Sequence, residues 1–270
     1  MNRMASTCVT VVNPPSARVS SSFFNKRRKT VYSREYFASH VGGSASSAAV
    51  IVPVVLSLLS VKSVVDVGCG VGSWAAEFAA NGVLDICGVD GDYVDRSQLR
   101  IRPDQFLARD LTKSLRLDRT FDLAACLEVA EHLPKATAKR LVADLTSLAP
   151  CVLFSAAIPG QGGAHHVNEQ YLPYWIDLFQ THQYEAVDPI RPRILGSDLV
   201  DWFYQQNVVM FAAANHTLLT KNFSKPPSLI HPYLYERTRH DVPRLRTLVR
   251  SFPQAVYRAI RFHLGIGVND

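Results

Sequence analysis

Short apolar runs alternate with amphipathic stretches over most of this chain. Residues 44–59 read as a helix, and the β-branched run 64–67 as the first strand. Residues 84–90, 105–108, 121–127 and 151–157 repeat the strand signal. Between them, Ser-Trp-Ala-Ala-Glu-Phe-Ala-Ala at 73–80 reads as a helix. So does 135–148, with Leu141, Leu145 and Leu148 at core spacing, and so does 169–180, with Tyr171, Trp175 and Phe179 at i, i+4 and i+8. Segments 184–187 and 207–213 supply two last strands. Strands alternating with helices predict an α/β architecture, a doubly wound, mostly parallel sheet with helices on both faces. Ligands of such a sheet bind outside the carboxyl ends of its strands. No internal repeat is visible.

The two ends depart from this pattern. Residues 1–33 lack periodicity and carry Lys26-Arg27-Arg28-Lys29, which predicts a disordered basic tail. The periodic domain is expected over 34–216. Residues 217–270 form a basic extension, opened by a linker at Lys225-Pro226-Pro227. Within it, 242–264 reads as a basic amphipathic helix interrupted at Pro253. Its arginines fit either a solvated face or peripheral contact with a membrane surface or an anionic substrate. Much of the net charge of +6 lies in these ends. No apolar run approaches the ~20 residues of a membrane span. The five cysteines are scattered and form no C-x-x-C pair, which fits a reducing cytoplasm better than a disulfide framework.

Chemistry enters at Val65-Asp66-Val67-Gly68-Cys69-Gly70-Val71-Gly72, where the first strand meets a glycine loop. A dinucleotide loop wants G-x-G-x-x-G with pyrophosphate at the helix N-terminus. Here the third glycine is one place early, and Asp66 would repel a phosphate. An acid at that point suits a cation such as an amino-acid ammonium. Further acids follow later strands: Asp90, Asp110 and Glu128. Asp90 suits two ribose hydroxyls and Asp110 an exocyclic purine amine. Together the acids describe an adenosyl group joined to an amino acid, without phosphate.

These motifs, with Gly88-Val89-Asp90, Ala108-Arg109-Asp110-Leu111 and Phe121-Asp122-Leu123-Ala124-Ala125-Cys126-Leu127-Glu128, resemble the class I S-adenosylmethionine-dependent methyltransferases over residues 36–216. The resemblance implies a Rossmann-like sheet of seven strands whose last strand is antiparallel. It implies that Asp66, Gly68, Cys69 and Gly70 meet the methionine part of S-adenosylmethionine. Asp90 and Gly91 would hold the ribose, Asp110 and Leu111 the adenine, and Leu127 and Glu128 would line the same pocket. The stretches around 63–66, 155–161 and 189–193 are similar to a bacterial methyltransferase-domain group.

Two further clusters bear on the acceptor. Glu128-Val129-Ala130-Glu131-His132 would place Glu131 and His132 beside Glu128 if helical turns follow the strand. This E-x-x-E-H pattern is similar to one in ubiquinone-pathway O-methyltransferases and small-RNA 2′-O-methyltransferases. That resemblance implies a divalent metal such as Mg²⁺ on Glu128, Glu131 and His132. The alternative is that Glu131 and His132 cap the next helix or shape the acceptor site. The second cluster is the loop 156–170, with Gly160, Gly162 and Gly163 ahead of His165 and His166. Its glycines suit a lid and its histidines a general base; the alternative is that Asn168 caps the following helix and a histidine merely hydrogen-bonds the loop. His132, His165 and His166 are all base candidates, with Glu131 orienting an imidazole. A small-molecule or glycan-precursor hydroxyl is the expected acceptor. An RNA acceptor is disfavoured, because no aromatic and basic stacking surface is evident. A non-catalytic cofactor-binding scaffold is the alternative from another class.

Overall fold

A computed structural model of the chain describes residues 34–221 and 223–240. The basic tail 1–33 and the amphipathic stretch 242–264 lie outside them. Seven strands form one sheet in the order β3-β2-β1-β4-β5-β7-β6. They are β1 (Ser63–Val67), β2 (Asp85–Asp90), β3 (Phe106–Ala108), β4 (Leu123–Leu127), β5 (Cys151–Ser155), β6 (Tyr184–Val187) and β7 (Val209–Ala213). β1 lies between β2 and β4 and is parallel to both. β7 runs antiparallel to β5 and β6, as the family resemblance implied. The chain winds outward from β1 to β3, then crosses to β4 on the other side. That reversal opens a crevice at the carboxyl ends of β1 and β4.

Strand periodicity divides the core between the two faces of the sheet. Val64, Leu123, Ala125, Leu127, Leu153 and Met210 pack on one face. It is covered by α1 (Arg34–Leu58), α2 (Ser73–Ala80), α5 (Arg191–Ile194) and α6 (Trp202–Asn207). Val65, Ala124, Cys126, Val152, Phe154 and Phe211 pack on the other, under α3 (Ala138–Leu148) and α4 (Leu172–Gln180). There Phe179 stacks on Phe211 with ring centroids 3.8 Å apart. α1 begins well before the expected start and runs through Pro53, which forgoes its bond to the carbonyl of Ala49, an exposed position.

The first compact unit extends to His231, beyond the expected boundary at 216. Leu218 is buried. Lys221 Nζ donates to the Leu58 carbonyl at 2.7 Å. The buried Arg191 guanidinium is held by Asp188 and donates to the carbonyls of Gln206 and Pro227. The residues read as a linker are therefore tied down. From Pro232 a second unit begins, of which α7 (Pro232–His240) is described. No helix among the described residues is long and apolar enough to cross a membrane.

Candidate active site

A cavity of about 880 Å³ opens at the crevice. Its first wall is the turn after β1. Gly68, Gly70 and Gly72 all have positive φ. Gly68 also has no room for a side chain, since a Cβ there would lie 2.3 Å from Val129 Cγ2. The Gly68 amide donates to the Val89 carbonyl at 2.7 Å, and the Gly70 amide to Asp90 Oδ2 at 2.7 Å. Asp90 Oδ1 accepts from the Gly91 amide and from the Tyr93 hydroxyl. Burial raises the Asp90 pKa, while these donors oppose the rise.

Asp66 lies behind this turn and is not among the lining residues. It is 2 % exposed, and its carboxylate accepts from the backbone of Ala75 in the first turn of α2. That is the arrangement of an acid stabilising a helix N-terminus. Its Oδ2 has no hydrogen-bond partner among the described residues. Desolvation pushes its pKa up to about 7.

Cys69, Gly91, Asp110, Leu111 and Leu127 all line the cavity. The Asp110 carboxylate accepts from the Thr112 amide and hydroxyl, at 2.9 and 2.6 Å, which lowers its pKa. It closes its own turn and sets the loop beside Leu111. Arg109 is the sole lysine or arginine among the described residues lining the cavity.

The other wall follows β4. Helical continuation was expected after Glu128, but Glu128 takes a left-handed φ of 54°. Its amide is drawn to the carbonyl and hydroxyl of Ser155 on β5. A 3-10 turn, Ala130–His132, follows. The Glu128 carboxylate accepts from Asn207 Nδ2 at 3.1 Å and Gln161 Nε2 at 2.9 Å. Glu131 is 0 % exposed, with Oε1 accepting from the Ala157 amide and Oε2 without a hydrogen-bond partner among the described residues. Burial and the neighbouring Glu128 charge push its pKa well up. Burial raises the Glu128 pKa as well, opposed first by its donors Asn207 and Gln161.

The loop after β5 brings His166, but not His165, to this wall. His165 is exposed. The rings of His132 and His166 meet edge to face, with centroids 4.9 Å apart. One ligand atom from each of Glu131, His132 and His166 falls within 4.8 Å of the others, a convergence that does not include Glu128. Asn168 does not cap α4. Its side chain donates to the Ala130 carbonyl and its amide to the Glu131 carbonyl, fastening the loop to the 3-10 turn.

The model of a methyltransferase-domain family matches residues 51–183. The chain carries a class I S-adenosylmethionine-dependent methyltransferase domain. Among solved structures, this methyltransferase is similar to an amino pentose methyltransferase from Micromonospora echinaspora, involved in calicheamicin biosynthesis. Identity is 15 %, with 69 % of this chain and 99 % of that one covered and a TM-score of 0.51. It is also similar to the magnesium protoporphyrin IX methyltransferase from Synechocystis, at 20 % identity, with 70 % and 86 % covered and a TM-score of 0.46. At 15 % identity the likeness to the amino pentose methyltransferase shows the fold alone. No curated protein matches the sequence.

The methyltransferase's lining suits an adenosyl amino acid. The turn at 68–72 brings bare backbone to the cavity, Asp90 and Asp110 stand at two strand ends, and Ala108, Leu111 and Leu133 offer apolar surface. Several lining residues carried no sequence signal. Trp74, Trp202, Phe203 and Tyr204 form an aromatic wall, in which Trp74 Nε1 donates to the Tyr204 hydroxyl at 3.4 Å. Tyr93 carried no signal either. The run Trp202-Phe203-Tyr204 has no spacing that marks it out from core, so only the tertiary fold reveals its place.

Proposed function

We propose that this methyltransferase methylates a hydroxyl group on a small, unphosphorylated acceptor, such as a sugar or glycan precursor. S-Adenosylmethionine supplies a methyl group already activated by its sulfonium. The chain's task is then to align the acceptor and to take its proton. The carrying observation is the wall of His132, His166 and buried Glu131 at the end of the cavity opposite Asp110. Two imidazoles there offer nitrogen bases, and Trp202 and Phe203 offer flat apolar surface to a sugar ring or other small body. A phosphorylated or RNA acceptor would call for cationic partners. Among the described lining residues only Arg109 is a lysine or arginine, and it stands beside Asp110 at the adenine end. The described cysteines are all free thiols, which supports a reducing cytoplasm as the setting.

A metal-assisted transfer is the second reading, favoured by the convergence of Glu131, His132 and His166. One carboxylate and two imidazoles suit a divalent transition ion, which would orient the acceptor oxygen and favour its deprotonated form. In that reading Glu131 would bind the ion as a carboxylate, its proton released to solvent, while Glu128 would stay outside the ligand set, held by Asn207 and Gln161.

The test is incubation with methyl-labelled S-adenosylmethionine and a fractionated lysate, with and without chelator. Label in an alkali-stable methyl ether of low mass supports the proposal, and loss on chelation selects the metal reading. Label in RNA or in a methylamine contradicts it.

A further inference from the structure

Glu169 belongs to none of the groups given a role above, yet three donors converge on its carboxylate. The Gly160 amide donates to Oε2 at 2.8 Å and the Gly162 amide to Oε1 at 2.8 Å. His166 Nδ1 lies 2.8 Å from the same Oε1. The ring and the carboxylate are both mostly buried, at 12 % and 20 % side-chain exposure. A carboxylate oxygen facing Nδ1 selects the ring form that carries its proton on Nδ1, so the lone pair is on Nε2. The ring packs so closely on the loop that a Cβ at Gly163 would lie 2.2 Å from Nε2. Gly163 is thus required by where the ring stands, and the ring stands where Glu169 holds it.

We propose that Glu169 is the positioning residue of the acceptor site. It fixes the Nδ1–H tautomer of His166, folds the 160–163 turn against the ring, and so makes Nε2 the nitrogen that serves the acceptor. The proposal rests on the reading that His166 faces the acceptor, and it holds whether Nε2 takes a proton or an ion. A carboxylate is needed because the three donors use both of its oxygens. A glutamine has one acceptor oxygen, and its NH₂ group would face a donor, so it must release either the ring or part of the loop. A carboxylate on the far nitrogen is also the usual means of orienting an imidazole for a proton or a metal.

The experiment is a long-range ¹H–¹⁵N correlation on histidine-labelled full-length protein with S-adenosylhomocysteine bound, at a pH where the ring is neutral. His166→Ala assigns the signal. Wild type is expected to show His166 protonated on Nδ1. Glu169→Ala is expected to move the proton toward Nε2; the volume-preserving Glu169→Gln is expected to do so where its amide nitrogen faces the ring, and otherwise to lose the Gly160 contact. Both should bind S-adenosylhomocysteine as wild type does in calorimetry, yet transfer label to the small-molecule fraction of a lysate at least tenfold more slowly. An unchanged tautomer in Glu169→Ala overturns the proposal. A changed tautomer, with undiminished transfer by His166→Ala, overturns the reading of His166 and leaves the hold of Glu169 on the ring intact.

Discussion

The backbone amide of Gly70 donates to the carboxylate of Asp90 across 2.7 Å, joining the turns after β1 and β2. One carboxylate thereby holds the shape of the loop on one side and faces the cavity on the other. Asp90→Ala removes the acceptor for Gly70, Gly91 and Tyr93 together. Calorimetry should show affinity for S-adenosylhomocysteine weakened by about tenfold or more, the equivalent of about 1.4 kcal/mol. Wild-type affinity in this variant would show that Asp90 shapes the loop without serving the ligand.

Gly68 meets two constraints at once, its φ of +81° and the approach of Val129. Gly68→Ala should cost about 1–3 kcal/mol of stability, read from denaturant unfolding. Adding Val129→Ala should recover the part due to the clash and leave the part due to the backbone. Full recovery would show that φ carries no cost.

Asp66 gives the apoprotein a pH dependence of definite sign. Its pKa is about 7 in the fold against an ordinary 3.8, so between those values the native state holds a proton that the unfolded chain has lost. Native stability from this group therefore falls as pH rises through that window, by up to about 4 kcal/mol in total, and levels off above it. Asp66→Asn removes the titration. The Tm of this variant relative to wild type should rise from pH 4 to pH 7, and a flat difference would show that Asp66 is ionised throughout.

The turn was legible because local rules mark it, though Asp66, expected to meet the methionine part of the cofactor, is buried and does not line the cavity. A β-branched run, an acid and alternate glycines describe the turn without help from the rest of the chain, and the acids at 90 and 110 repeat its logic. The acceptor side obeys partners distant in sequence. Helical spacing put Glu128 in register with Glu131 and His132, but Ser155 on β5 captures the Glu128 amide and reverses the chain. Asn168 sits where a helix cap would, yet its partners are Ala130 and Glu131. Two adjacent histidines were indistinguishable in sequence, and His166 stands at the site because Glu169 binds its ring. The aromatic wall from α6 depends on where that helix packs, which periodicity does not report.

The central claim is that the end of the cavity bearing His132 and His166 serves the acceptor, apart from the turns proposed to hold the cofactor. Transfer of labelled methyl by His166→Ala, at a concentration of S-adenosylmethionine that saturates the variant, tests it most directly. Transfer to the small-molecule fraction should fall by about 10²-fold or more, the scale of a lost general base, with cofactor affinity unchanged. Transfer at the wild-type rate would contradict the claim.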